Sequence, residues 1–197
     1  SATGDASRTD AATRATAGEQ PLYITSIAGG GPVVRFADAN DGLSIQTLAK
    51  NPRAHYSFYV LVYVALGQES NGTLLSAQSG SGGFVIQPCR AGDVMRVFFS
   101  GNTAVTMAAV CGWQVLAVVA DNTAGTLTVY RDGIAVGSGA YTSDGSNDTA
   151  WLLGSSAGFS TGLRFDLTEV QLYDLADSAA TVAARSACLR ARWNLEA

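Results

Sequence analysis

Hydrolysis of a glycosidic bond needs two carboxyl groups about 5–10 Å apart, one to donate a proton and one to attack or to activate water. A strand can offer such a pair on alternate residues, as in Glu-x-Asp-x-x-Glu, and no such pattern occurs in this chain. The nearest approach is Asp166 with Glu169. In a regular strand a separation of three sends two side chains to opposite faces, so this spacing argues against joint work. Nucleophile chemistry fares no better. His55 is the sole histidine, and the two Gly-x-Ser-x-Gly spacings, at 154–158 and 158–162, lie between two strands and lack the following helix that a nucleophile elbow needs, so His55 reads as a surface or strand-edge residue. Gly29-Gly30-Gly31-Pro32 lacks the lysine and helix that a phosphate loop needs, and the glycine-rich stretch 79–83 falls between strands. The chain therefore reads as a non-enzyme.

Binding chemistry remains. Asp38, Asn40 and Asp41 form an acidic turn with the oxygen donors a hard cation prefers, and Asp144, Asn147 and Asp148 form a second. The first is the better candidate for calcium, the one metal considered; no other cofactor is expected. Asp and Asn also close turns through their own backbone, so turn structure is the simpler explanation of both. For sugar, Tyr141 and Trp151 flank the polar stretch 141–150, and with Asp144 and Asn147 they would make a stacking-and-hydrogen-bonding rim. Core packing competes for both aromatics, since Trp151 leads into an apolar run.

These residues must be positioned by strands. From Trp113 to Gly139 the chain reads as three of them: an apolar run 114–120, an alternating run 127–130 and a third from Ile134. Asp121-Asn122 with Gly125 makes the first turn, and Asp132-Gly133 supplies a two-residue hairpin turn. Residues 56–66 form the longest apolar strand, with aromatics on both faces, and it belongs at the centre of a sheet covered on each side. Shorter strands fall at 21–27, 33–36, 43–47, 73–78, 84–87, 94–100, 103–110, 151–154 and 164–173. Ser178 then caps a helix from Ala179 to about Arg192, whose narrow stripe of Val182, Arg185 or Ser186, and Leu189 suits packing on a rim. About a dozen strands with frequent turns predict an all-β sandwich.

The stretch from Trp113 through Thr126-Leu127-Thr128-Val129-Tyr130-Arg131-Asp132-Gly133 resembles the central signature of laminin-G-like, concanavalin-A-like domains. Phe165-Asp166-Leu167-Thr168-Glu169-Val170-Gln171-Leu172-Tyr173-Asp174 is similar to the closing signature, and Pro32–Phe36 with Asp41-Gly42-Leu43 to the first core strand. The resemblance runs from about Gln20 to the C-terminus. It implies a concanavalin-A-like jelly roll with a short C-terminal helix, of the type found in phage and bacterial surface proteins. It also implies structural roles for Trp113 and Glu169, and calcium in rim loops of relatives. Activity does not follow, because this fold hosts lectins, glycanases, adhesion modules and viral structural proteins.

Composition narrows the classes. The 197 residues suit one domain, assigned here to 20–197, behind an N-terminal arm of residues 1–19 that is small, polar and without apolar periodicity. Such an arm is expected to lie against a neighbour or along its own domain. Net charge is −4 and only one of the twelve basic residues is a lysine, with no basic cluster, which argues against nucleic acid. No run of 18 apolar residues exists and no basic-then-apolar leader opens the chain, so no membrane insertion is expected. Cys89, Cys111 and Cys188 have no metal spacing. A Cys89–Cys111 disulfide across the ends of a hairpin is one option, and three buried free thiols the other.

Charged residues make up 14% of the chain, against about 25% in ordinary soluble domains. A surface so poor in charge invites burial against other subunits. Two readings follow. The leading one is a bacteriophage virion component, a capsid-decoration or tail-fibre protein that forms a homo-oligomer, a trimer among the options, with other virion proteins. The other is a carbohydrate-binding or adhesion module at a cell surface, with surface glycans as partners.

Overall fold

The computed structural model describes residues 12–13, 21–28, 31–37, 42–45, 55–66, 73–78, 85–88, 93–99, 102–142, 150–154 and 164–195. Its strands are β1 (Ala12–Thr13), β2 (Leu22–Ala28), β3 (Gly31–Phe36), β4 (Leu43–Ile45), β5 (His55–Val64), β6 (Leu75–Gln78) and β7 (Val85–Gln87). There follow β8 (Val94–Phe99), β9 (Asn102–Ala108), β10 (Gly112–Asp121), β11 (Thr126–Arg131), β12 (Ile134–Ala140), β13 (Ala150–Leu153) and β14 (Phe165–Tyr173), then the helix α1 (Ala179–Arg192). One antiparallel sheet runs β1-β4-β13-β6-β7-β8-β9, the other β12-β11-β10-β5-β14-β3-β2. Two such sheets, each apolar on its facing side, close over one another as a sandwich. The jelly-roll class expected from the sequence is the one observed.

Alternation explains the core. From β5, Tyr56, Phe58, Val60, Val62 and Val64 point between the sheets and meet Leu116, Val118 and Ala120 of β10 and Leu127 and Val129 of β11. Phe36 and Phe165 stack there with ring centroids 4.3 Å apart. The other sheet contributes Leu75, Ile86, Met95, Val97, Val105 and Leu153. At the β12 edge the two layers approach so closely that a side-chain carbon on Gly137 would lie 2.6 Å from Val105 Cγ1, so any larger residue here would force the facing strand's side chains to move.

The intervening residues of β5 and β10 are buried too. Tyr59, Leu61, Val115, Ala117 and Val119 form a second core on the outer face with Tyr130 and with Val182 and Leu189 of α1. The central placement of β5, covered on both sides, is thus as expected. The helix, however, lies across the outer face and not on the rim. Its stripe is as narrow as its sequence suggests, but Ala183 lets its backbone come close: a side-chain carbon on Gly133 would sit 2.9 Å from Ala183 Cα. Gly133 and Asp132 have φ of 82° and 50°, the left-handed turn expected for this dipeptide. Ser178 caps α1 by accepting from the Thr181 amide at 3.2 Å.

Two further expectations meet the structure here. Within the arm, Ala12–Thr13 pairs antiparallel with β4 of the same chain, which is the second of its two expected resting places. Cys111 and Cys188 are free and exposed, so Cys111 forms no disulfide and neither thiol is buried as expected; Cys89 lies outside the described residues. No helix among the described residues is long and apolar enough to cross a membrane.

Candidate functional site

Of the residues put forward for sugar binding, Tyr141 is 2% exposed. Its ring meets Tyr56 edge-on at 6.1 Å in the main core. This corrects its assignment: an aromatic ring whose faces are filled by core neighbours has no face left for a sugar. Trp151 is in β13 opposite Ile45 and Ala77, and its side chain lies outside the described residues. So do Asp144 and Asn147, and the metal candidates Asp38, Asn40 and Asp41. Among the described residues no group of three His, Cys, Asp or Glu could hold a metal ion.

The acidic pair needs a second correction. Register shifts between Leu167 and Glu169, so Asp166 lies opposite Tyr63 while Glu169 lies opposite Leu61. This β-bulge absorbs one residue and turns both carboxylates to the outer face. Each is nevertheless engaged. Glu169 accepts from Trp193 Nε1 at 3.0 Å and from Gln171 at 2.7 Å, and it pairs with Arg192 at 2.6 Å. It therefore anchors the end of α1, the structural role that the resemblance implied, and Trp193 pins the helix through it.

Asp166 belongs to a different arrangement. Across the outer face, residues of five strands stand directly opposite one another: Leu22 of β2 with Arg35 of β3, Arg35 with Asp166 of β14, Asp166 with Tyr63 of β5, and Tyr63 with Trp113 of β10. Direct partners in antiparallel strands share a face, so these five side chains form one row beside the part of the sheet that α1 covers. Leu22 is 58% exposed. Trp113, given a structural role by the resemblance, is only half-buried; it packs at the edge of the second core and meets Tyr63 at 5.6 Å, with the rings inclined by 64°.

Arg35 donates to both oxygens of Asp166, Nε to Oδ1 at 2.7 Å and a terminal nitrogen to Oδ2 at 2.8 Å. The Arg35 side chain keeps 40% of its surface exposed, that of Asp166 only 9%. These hydrogen bonds raise Arg35 above an ordinary guanidinium, with burial acting against them. Tyr63 shares a weak hydrogen bond with the Cys111 thiol at 3.9 Å. That contact is the main reason the Tyr63 phenol is raised above its ordinary range.

Beside this row lies a cleft of about 370 Å³, lined by Arg35, Tyr63, Asp166, Arg164 and the small side chains Ala37 and Ala65, with Phe36 and Phe165 at its base. Alternation puts Ala37, Ala65 and Arg164 on the same face as Arg35, Tyr63 and Asp166, two residues away along each strand. Alanine at two neighbouring positions leaves the hollow. An aromatic wall, a fixed guanidinium and a second arginine give surfaces for a ring's C–H face and for oxygen acceptors. The sequence signal for this row is faint, because it joins strands distant in the chain; what was legible was that Arg35, Tyr63 and Asp166 alternate with core residues.

A family model described as the concanavalin A-like lectin/glucanases superfamily matches residues 37–183. The chain belongs to this superfamily. No curated protein sequence matches it. Solved structures share the fold. The receptor-binding domain of botulinum neurotoxin C/D mosaic serotype matches with a TM-score of 0.69 at 7% identity, over 85% of this chain and 45% of that one. The binding domain of botulinum neurotoxin DC, solved in complex with rat synaptotagmin II, matches at 0.66 and 6%, over 86% and 46%. A botulinum neurotoxin type C structure, whose cell entry depends upon interaction with two ganglioside molecules, matches at 0.66 and 6%, over 86% and 45%. The chain thus spans about half the length of these structures, and at such identities they speak to the fold alone.

Proposed function

We propose that this chain is a non-enzymatic, glycan-binding surface module that reads its ligand in the cleft between Arg35, Tyr63 and Arg164. The observation that carries the reading is the outer-face row with its adjoining hollow. An exposed aromatic beside oriented hydrogen-bond donors suits a sugar, which presents apolar ring faces and polar edges together. Among the described residues, the two carboxylates nearest to a hydrolytic pair are already engaged. Asp166 has both oxygens held by Arg35 and Glu169 is tied to the end of α1, so neither is placed to donate a proton or to attack. Superfamily membership and the receptor-binding character of the matched neurotoxin domains agree with extracellular or surface recognition.

The test is a glycan array with the intact chain and with Tyr63→Ala. Binding that is lost in the variant, without release of reducing sugar on long incubation, is the expected result. Binding that survives Tyr63→Ala places the site elsewhere, and cleavage of a bound glycan overturns the non-enzymatic reading.

The virion reading rests on the low charge content of 14%. Its mechanism of an arm reaching to a neighbour draws no support from β1, which pairs within its own chain. Light scattering decides this point: an oligomer that dissociates when residues 1–19 are removed would restore it.

A further inference from the structure

We infer that the cleft selects saccharides bearing a carboxylate over neutral ones, an inference that rests on the glycan reading above and names its ligand class. A guanidinium carries five N–H donors. Arg35 commits one on Nε and one on a terminal nitrogen to Asp166, which leaves three for other acceptors. The bidentate pair fixes the guanidinium plane, and the exposed 40% of the side chain gives those donors access to a ligand. Arg164, exposed and lining the same hollow, brings a second cation. Among the described residues that line the cleft, two guanidinium groups stand with one carboxylate, in a chain whose net charge is −4.

A neutral sugar seated there would strip water from the guanidinium groups and return no charge. A planar carboxylate returns both a charge and the paired oxygens that an arginine fork matches. The Tyr63 ring would take the sugar's C–H face, with Trp113 holding Tyr63 from behind at 5.6 Å. A volume of about 370 Å³ is at the small end for ligand pockets and suits a chain end, not the middle of a polymer.

The experiment is an array of glycans ending in uronic or sialic acids, each printed beside its neutral counterpart, with affinities for the hits measured by calorimetry. Wild-type protein is expected to bind acidic members at least about 10-fold more tightly than their neutral partners, and less tightly as salt is raised. Arg164→Gln and Arg35→Gln should each bring that ratio close to one. Because Arg35→Gln also deprives Asp166 of its partner and could disturb folding, the exposed Arg164→Gln keeps the test decisive. Equal affinity for acidic and neutral members, abolished by Tyr63→Ala, would overturn the carboxylate inference and leave the glycan reading standing. An array without hits would overturn both.

Discussion

Tyr59 and Tyr63 are the same residue type, four positions apart on one strand and one face, and they have opposite fates. Tyr59 is fully buried beneath α1, with its hydroxyl donating to Asp177 at 2.7 Å and its ring edge-on to Tyr173. Asp177 in turn pairs with Arg185, whose guanidinium lies 3.6 Å from the centroid of Tyr173. Tyr63 lies past the end of the helix's cover, half-exposed beside a cleft. The difference is set by what crosses the sheet, since β5 itself presents both rings in the same way. One short helix divides the outer face into a second core and an open surface, and the open surface is where recognition chemistry has room.

The comparison breaks most completely if the helix is released. Leu189 is buried in the second core, and Leu189→Ala should cost about 2–5 kcal/mol through lost burial and a residual cavity. Chemical unfolding measures this, and a cost below about 1 kcal/mol would show that α1 contributes little. Gly133→Ala attacks the same contact from the sheet side. At φ of 82°, with Ala183 Cα 2.9 Å from the new carbon, backbone strain alone costs about 1–2 kcal/mol and the helix must also move. A thermal midpoint equal to wild type would mean that the helix shifts freely.

Next in size is Tyr59→Phe, which takes one hydrogen-bond partner from the buried Asp177 and should cost about 1–2 kcal/mol. It also has a signature in pH. Burial first, then the hydrogen bond to Asp177, push the Tyr59 phenol well above its ordinary value of 10.0. Above about pH 10 the unfolded chain releases this proton while the folded protein keeps it. Stability is then lost as pH rises, by up to about 1.4 kcal/mol per pH unit. Urea midpoints between pH 9 and 11 should fall more steeply for wild type than for Tyr59→Phe. Parallel slopes would contradict the assignment.

How far the sequence foretold this division depends on range. Local signals were reliable: Ser178 caps the helix where expected, Asp132-Gly133 turns with positive φ, and alternation placed the faces of β5. Features made by distant partners were not legible. The bulge that brings Asp166 and Glu169 to one face arises from pairing with β5 and leaves no mark in the spacing of three. Tyr141 follows the end of β12 and precedes a polar stretch, yet Tyr56 draws it into the core. The helix was placed on a rim because its apolar stripe is narrow; small residues, Ala183 against Gly133, let it lie on the face instead. Arg35, Asp166 and Tyr63 come from three separate parts of the chain, and only strand order makes them neighbours.

The smallest expected effect is the sharpest test of the contrast. Tyr63→Phe removes a hydroxyl whose only described bond is a weak one to the Cys111 thiol, and it keeps the ring against Trp113. Half-exposed groups of this kind change stability by no more than about 0.5 kcal/mol, so its urea midpoint should match wild type where Tyr59→Phe does not. Ligand affinity should fall only in part, because the stacking face survives, whereas Tyr63→Ala should abolish it. Equal destabilisation by the two Tyr→Phe changes would mean that the open and covered halves of this face are energetically alike. The cleft would then be a packing feature of the sandwich and no longer a surface kept clear for a ligand.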